Sequence, residues 1–172
     1  ITLPDATGTL LSGAGGRRNM IINGGMQVAQ RGTSSTTSGM ETVDRFTCEF
    51  SGTDESPTQA QVDVSSGTPA YEAGFRKAFK ITNGNQASGA GAADYINFQN
   101  KLEAQDIAQS GWNYPSSSSS VTLSFYIKSS VAQNFYGFLR TRDGTEQNYP
   151  FETGSLTADT WTKVTKTIIG DS

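Results

Sequence analysis

The chain has 172 residues, a formal net charge of −3 and no histidine. The missing imidazole excludes Ser-His-Asp and Cys-His catalytic sites and histidine-ligated zinc, and the single cysteine excludes an internal disulfide and a four-cysteine metal site. The acidic balance argues against nucleic-acid binding, and the apolar runs are far shorter than the about 20 residues that insertion across a membrane requires. Glycine, serine and threonine supply more than a third of the chain, which is typical of an all-β fold.

The first 18 residues differ in pattern from the rest and form the first of two predicted units. Ile1 and Leu3 precede a Pro-Asp turn, and a glycine-rich linker ends the unit. Leu10 and Leu11 form a small apolar patch between them. Because so short a segment cannot bury a core of its own, we expect 1–18 to be an extended arm whose four apolar side chains contact other copies of the chain.

Residues 19–172 form the second predicted unit, in which apolar and polar side chains alternate in short strands. We predict strands over 19–28, 43–50, 59–65, 75–82, 93–99, 121–128, 134–142, 146–151 and 161–169. One short helix is predicted over 100–109, and Asp143-Gly144 indicates a hairpin turn. Because strands and helices do not alternate, this is an antiparallel β-sandwich, and Phe46, Phe79 and Phe125 are expected to meet in its interior.

Two sequence blocks open this second unit: N-M-I-I-N-G-G-M-Q-V-A-Q-R-G-T-S over 19–34 and T-V-D-R-F over 42–46. They resemble the opening of a β-sandwich module found in bacteriophage tail fibres and other virion appendages, commonly in marine phages. Such modules read Asn-x-x-Ile/Leu-Asn-Gly-x-Met-x-Val-x-Gln-Arg-Gly, followed by Asp-Arg-Phe/Trp. Later blocks extend the similarity in the same order, among them L-E-A-Q-D-I over 102–107 and V-T-L-S-F-Y-I-K-S-S over 121–130.

The resemblance implies a jelly-roll-like sandwich similar to the carbohydrate-binding modules of glycoside hydrolases, mounted on an arm similar to segments of trimeric fibre shafts. It implies a virion location, a homotrimer, contacts with other virion proteins and a non-enzymatic role in host attachment, with a host-surface glycan as a candidate partner. Family members continue past the Gly-Asp segment with further strands. The unit over 19–172 is therefore expected to lack its last strands and to expose sheet edges.

Four aromatic residues are the candidates for ligand binding. Trp112 and Tyr114 lie in a loop beside a polyserine run, where exposed rings suit sugar stacking or a protein interface. Tyr136 and Tyr149 are predicted to alternate outward from strands, together with Tyr126, and to line one sheet face. The alternative for Trp112 is that its ring packs beneath the end of the predicted helix.

The remaining polar motifs are assigned structural roles. The N-G-G and Q-R-G blocks are interpreted as turns, and Asp44 is expected to need a partner such as Arg31, Arg45 or a backbone amide. Cys48 is predicted to be a buried, inert small apolar residue.

No metal or cofactor site is predicted, although oxygen ligands leave a structural calcium ion open: Asp54, Glu55, Asp159 and Asp171. A free-standing carbohydrate-binding module and a capsid-decorating fibre protein remain alternative functions. A glycan-degrading enzyme is the least favoured, because nothing in the sequence organises the pair of carboxylates that glycoside hydrolysis requires.

Overall fold

We analysed a computed structural model, which describes residues 19–142 and 144–170. The strands of this part are β1 (Ser34–Ser35), β2 (Phe46–Ser51), β3 (Thr58–Asp63), β4 (Lys77–Thr82), β5 (Tyr95–Asn100), β6 (Ser120–Ile127), β7 (Asn134–Arg140), β8 (Asn148–Ser155) and β9 (Thr162–Ile169). The helices are α1 (Pro69–Glu72) and α2 (Ala104–Gln109). None of the helices described here is long and apolar enough to cross a membrane. The predicted arm over 1–18, with Ile1, Leu3, Leu10 and Leu11, lies outside the described residues.

The strands pair in four antiparallel groups: β1-β3-β4, β2-β5, β6-β9 and β7-β8. The all-β prediction is confirmed, and the architecture is consistent with a β-sandwich. Two of the groups join segments that are far apart in sequence, because β2 pairs with β5 and β6 pairs with β9. The β7-β8 group is the predicted hairpin, and β8 also approaches β9.

A first aromatic cluster joins the β2-β5 pair to β4. The ring of Phe98 on β5 stacks on Phe46, with centroids 5.3 Å apart, and tilts against Phe79 of β4 at 5.0 Å. Phe46 is buried, and Phe98 bridges it to Phe79. Two of the three phenylalanines expected in a common interior, Phe46 and Phe79, therefore belong to one cluster, in which Phe98 contacts both.

The third phenylalanine, Phe125 on β6, belongs to a second cluster. Its ring tilts against Phe151 of β8 with centroids 6.3 Å apart, which joins the β6-β9 and β7-β8 groups. The next residue, Tyr126, lies on the opposite face of β6, because successive strand side chains alternate. It packs edge-on against Phe75 at 5.7 Å, beside a small core of aliphatic residues. The expectation of a single phenylalanine interior is therefore wrong: Phe46 and Phe79 belong to the first cluster, and Phe125 packs against Phe151 in a second.

Helix α1 is an element that the sequence analysis did not predict. Thr68 caps it, because the Thr68 hydroxyl accepts a hydrogen bond from the Tyr71 amide at 3.4 Å, and Pro69 follows at the first helical position. Ala70 in this turn is buried against Val64 and Ala78. The predicted single helix over 100–109 is present but shorter, as α2.

The strand predicted over 19–28 is wrong, because this segment is a turn followed by irregular chain. Asn23 and Met26 both have left-handed backbone conformations, with φ of 57° and 56°, and the Met26 amide bonds to the Asn23 carbonyl at 2.7 Å. The side chain of Asn23 donates to the carbonyls of Val28 and Asp44, both at 2.9 Å, and accepts from the Val28 amide at 3.1 Å. The asparagine thus ties two distant segments together.

Asp44 has the kind of partners that were predicted for it. Its carboxylate accepts from the Gln30 amide at 3.3 Å and lies 3.4 Å from the Arg31 guanidinium. Arg45 turns elsewhere, with a left-handed φ of 74° and a 2.8 Å ion pair to Glu103. The structural interpretation of the opening blocks is therefore confirmed at Asp44.

Two residues are buried at positions that simple strand alternation does not explain. Val43 lies in a turn before β2 and is fully buried. Gln59 is buried at 1% exposure and donates to the Thr37 carbonyl at 2.6 Å and to the Gly39 carbonyl at 3.2 Å. Its amide oxygen accepts from the Thr42 hydroxyl at 3.2 Å, so both ends of the side chain are satisfied.

Candidate binding surface

The outer face of the β7-β8 ribbon exposes two aromatic side chains side by side. Tyr136 and Phe138 are separated by one residue on β7, so both rings project from the same face of the strand. Tyr136 is 80% exposed and Phe138 is 52% exposed. Opposite them on β8 lie Glu152, paired with Tyr136, and Pro150, paired with Phe138.

The opposite face of the ribbon explains why these rings point outward. Gly137 pairs with Phe151, and a Cβ atom at position 137 would lie 2.5 Å from the Phe151 ring. The glycine therefore leaves room for Phe151 to lie beneath β7 on the inner side, where it packs against Phe125. With the inner face committed to packing, strand alternation leaves Tyr136 and Phe138 on the outer one.

Polar side chains flank the two rings. The Arg140 guanidinium lies over the Phe138 ring, 4.5 Å from its centroid, and Arg140 Nε donates to Asn148 Oδ1 at 2.8 Å. Arg140 Nε also lies 3.5 Å from a carboxylate oxygen of Glu146. Such exposed ion pairs add little stability, but together with the amide contact they fix the orientation of the guanidinium.

The other end of this face is equally ordered. Asn134 Nδ2 donates to Glu152 Oε2 at 2.6 Å, and Asn134 Oδ1 accepts from the Thr153 hydroxyl at 3.2 Å. A register shift between Asn134 and Tyr136 bends the ribbon at this point. The outer face thus combines two open rings with amide, carboxylate and guanidinium groups that are already held by hydrogen bonds.

The predicted grouping of Tyr136 and Tyr149 on one sheet face is wrong. Tyr149 pairs with Leu139, so it projects from the inner face of the ribbon with Gly137 and Phe151. Tyr126, which was assigned to the same outward set, is half-buried against Phe75. Of the predicted strand tyrosines, only Tyr136 lies on the outer face.

Trp112 and Tyr114 lie in the loop before β6, separate from that face. Tyr114 is 63% exposed, whereas Trp112 is half-buried and its indole Nε1 is enclosed without a hydrogen-bond partner. The two rings meet at 6.3 Å with an angle of 67° between their planes. The loop packs on the end of β9, where Gly170 leaves no room for a Cβ beside the Tyr114 carbonyl. An inward-turned Trp112 agrees better with the packing alternative.

Two of the carboxylates considered for a calcium ion accept hydrogen bonds from loop residues. Asp54 accepts from the amide and the hydroxyl of Ser88, both at 2.7 Å, and these hydrogen bonds lower the pKa of Asp54. Glu55 accepts from the Asn85 amide at 2.7 Å. Asp159 lies in a turn before β9, and Asp171 is outside the described residues. Within 19–142 and 144–170, no group of three or more His, Cys, Asp or Glu side chains is placed to hold a metal ion.

A shallow pocket of about 380 Å³ lies at the start of β2. It is lined by Met40, Arg45, Thr47, Lys101 and Glu103. The hydrogen bond and charge of Arg45 lower the pKa of Glu103, and Lys101 Nζ lies 4.0 Å from Glu49. Each cation of this pocket already has an acidic neighbour, so the pocket carries no unbalanced charge that would select an ion.

The sequence analysis missed most of the outer face. Phe138, Arg140, Asn148, Pro150 and Glu152 were not among the predicted site residues. A usable signal was present, because Tyr136, Phe138 and Arg140 recur at every second position of β7. Assigning the β8 residues to the same face requires the pairing register, which the sequence does not show directly.

Comparisons with protein-family models, with curated proteins and with solved structures identified no match to this chain. The outer face offers flat aromatic surface bordered by ordered hydrogen-bonding groups. Two rings separated by one strand position offer stacking area to a flat, partly apolar ligand, and the flanking groups can both donate to and accept from its hydroxyls.

Proposed function

We propose that this chain is a non-enzymatic structural segment of a bacteriophage tail fibre or similar virion appendage, and that the outer β7-β8 face binds a glycan of the host surface. The observation that carries the binding role is the pair of open rings, Tyr136 and Phe138, bordered by Arg140 and Glu152. The virion role is supported by the ordered sequence blocks that resemble fibre modules. In this proposal the sandwich is of the jelly-roll type.

A glycan suits the outer face chemically. The C–H-rich faces of sugar rings can stack on Tyr136 and Phe138, while the sugar hydroxyls hydrogen-bond to the bordering side chains. Arg140 and Arg142 are balanced on the ribbon by Glu146 and Glu152, so we expect a neutral glycan to be preferred to a polyanionic one.

The opening blocks support a scaffold role. The Asn23 side chain contacts the Asp44 carbonyl, and the Asp44 carboxylate contacts the Gln30 amide and the Arg31 guanidinium. These contacts hold the two opening blocks together. In the same proposal, residues 1–18 join three copies of the chain on a fibre.

Binding is tested by titrating the chain against a panel of purified bacterial O-antigen and capsular polysaccharides. We expect Tyr136→Ala to weaken binding to the polysaccharide that the native chain recognises by about tenfold or more, because the variant loses the stacking surface of the ring. A tenfold change corresponds to about 1.4 kcal/mol of binding free energy. Tyr114→Ala, which removes an equally open ring from the loop before β6, should bind as the native chain does. Loss of binding in Tyr114→Ala with retention in Tyr136→Ala would place the site in the loop and refute the proposal.

A further inference from the structure

Strand β5 presents an open edge to its surroundings. The amide and carbonyl of Cys48, on its neighbour β2, are both bonded to Gly39, at 3.1 and 2.8 Å. Antiparallel pairing alternates between residues that bond to each other and residues that bond away, so the Cys48–Phe98 pair does not exchange backbone hydrogen bonds. The N–H and C=O groups of Ile96, Phe98 and Asn100 therefore point away from β2, and no described residue bonds to them through its backbone.

This edge lacks the devices that protect open strands. The sequence of β5, Y-I-N-F-Q-N, contains no charge, proline or glycine, and its pairing with β2 has no bulge. Tyr95 and Phe98 remain 46% and 48% exposed, although the Phe98 ring contacts the rings of Phe46 and Phe79. An uncharged, aromatic and unpaired strand of this kind is a template for addition of another strand.

Three other strands of the described part differ from β5. On β4, the outward amide of Phe79 is covered by the sulfur of Met26 at 2.9 Å. On β8, Pro150 has no amide to donate and Glu152 adds a charge, although the strand itself is continuous. Strand β6 is also uncharged, but its large apolar side chains are at least half-buried, and the Tyr126 ring is covered by Phe75. The β5 edge combines open backbone groups with exposed aromatic side chains.

We propose that β5 pairs antiparallel with β5 of a second copy of this chain, about a two-fold axis through Phe98. In this register Phe98 faces Phe98 of the second copy, and Ile96 faces Asn100 of the second copy. These are the residues whose backbone groups point outward, so each such pair exchanges two hydrogen bonds. Between these hydrogen-bonded pairs, the side chain of Asn97 faces the side chain of Gln99 of the second copy.

A second copy is favoured as the occupant because the edge is complementary to itself. The axis through Phe98 pairs open backbone groups only with open backbone groups and opposes no like charges. This contact uses the open β5 edge of each of the two copies. The assembly therefore closes at two copies of the strand and does not grow into a filament. The result is a continuous four-stranded sheet, β2-β5-β5-β2.

The test uses a pair of double variants on the full chain. Asn97 and Gln99 lie on the face of β5 opposite Phe98, away from the aromatic cluster, and their side chains meet across the proposed axis. N97K/Q99K opposes lysines at both contacts, whereas N97K/Q99E opposes a lysine and a glutamate at both. By sedimentation equilibrium we expect the native chain to contain two copies, or six if residues 1–18 also join three chains. N97K/Q99K should halve that mass, and N97K/Q99E should retain it.

T122K/S124K, which places two lysines on the other uncharged strand, β6, is the matched control and should leave the mass unchanged. Circular dichroism of each variant shows that the sandwich is intact. A native chain with one or three copies overturns the proposal. So does equal behaviour of N97K/Q99K and N97K/Q99E, or halving of the mass by T122K/S124K. A native trimer that still binds glycan would overturn this pairing while leaving the proposed function in place.

Discussion

Gly137 and Phe151 face each other directly in the β7-β8 ribbon, and the ring of Phe151 lies where any side chain at position 137 would begin. The contact fixes which face of the ribbon packs on β6 and which face remains open. It therefore links the fold of the hairpin to the candidate binding surface.

Gly137→Ala is expected to destabilise the chain by about 1–3 kcal/mol, because the added methyl group overpacks against a ring that is itself held by Phe125. Urea unfolding measures the change in free energy. Gly25→Ala is the matched control, since the nearest atom to its new methyl group would be 3.8 Å away. If the ring is the cause, G137A/F151L should cost less than the sum of its single changes.

Asn23→Ala is expected to cost about 2–4 kcal/mol, since it deletes two hydrogen bonds to Val28 and one to the distant Asp44, and forces alanine into a left-handed conformation. Asn23→Gly removes the same bonds without the backbone strain and should cost less. Asn85→Ala serves as a control, because the contact of Asn85 with Glu55 is made by its backbone amide. Equal stability of Asn23→Ala and Asn85→Ala would show that the hydrogen bonds of the Asn23 side chain contribute nothing to the free energy of unfolding.

Stability should fall at acid pH partly through Asp54 and Glu103. The pKa of Asp54 is lowered by hydrogen bonds from Ser88, and that of Glu103 is lowered mainly by its hydrogen bond and ion pair with Arg45. A lowered folded-state pKa stabilises the chain above the unfolded values, about 3.9 for Asp and 4.3 for Glu, and this contribution is lost as the pH falls through the folded-state values.

Asp54→Asn and Glu103→Gln should therefore differ from the native chain at neutral pH and converge with it as the pH falls below the folded-state pKa values of the two carboxyl groups. Urea unfolding across this range provides the measurement. Added salt should weaken the Glu103 effect more than the Asp54 effect, because Glu103 depends partly on a charge and Asp54 on neutral donors. A difference from the native chain that stays constant down to the lowest pH would contradict this account.

Cys48 should report on unfolding of the sandwich. Burial, and to a lesser extent the nearby Glu49, raises the pKa of its thiol, so the reactive thiolate is suppressed in the folded chain. We expect a chromogenic disulfide reagent to label Cys48 at least tenfold more slowly than in urea, where the thiol is accessible. The variant C48S/S130C, with its only thiol at an exposed position, should react at similar rates in both conditions. Fast labelling of native Cys48 would show that β2 opens readily.

The parts of the fold that could be predicted are those decided by local alternation. The apolar residues of V-T-L-S-F-Y-I-K alternate cleanly, and the strand predicted over 121–128 is observed as β6, displaced by one residue. Asp44 was expected to find a cation or an amide because a half-buried carboxylate needs one, and it has both.

The errors arise where distant groups decide the local structure. Met20, Ile22, Met26 and Val28 alternate like a strand, but the hydrogen bonds of the Asn23 side chain compete with strand pairing and hold a turn. Gln59 is buried because three groups of a polar loop converge on its side-chain amide. No local sequence pattern predicts this contact.

Only Tyr136 of the predicted binding residues falls on the candidate surface, and the reason is register. From Tyr136 to Arg140 and from Asn148 to Glu152, the pairing register places even-numbered residues of both strands on one face and odd-numbered residues on the other. Tyr149 therefore projects from the face opposite Tyr136, where it remains 42% exposed. A shift of one residue in the hairpin would have placed it beside Tyr136, and the sequence pattern alone does not choose between the two registers.

Even-numbered and odd-numbered positions of the ribbon are therefore under different structural constraints. Odd positions of the ribbon, such as 137 and 151, maintain the sandwich, whereas even positions, such as 136 and 138, contribute little to packing. The even positions can therefore accumulate substitutions and change what the surface recognises while the scaffold is kept. An inserted or deleted residue in either strand would exchange the two sets, so we expect this ribbon to diversify by substitution and to tolerate almost no change in length.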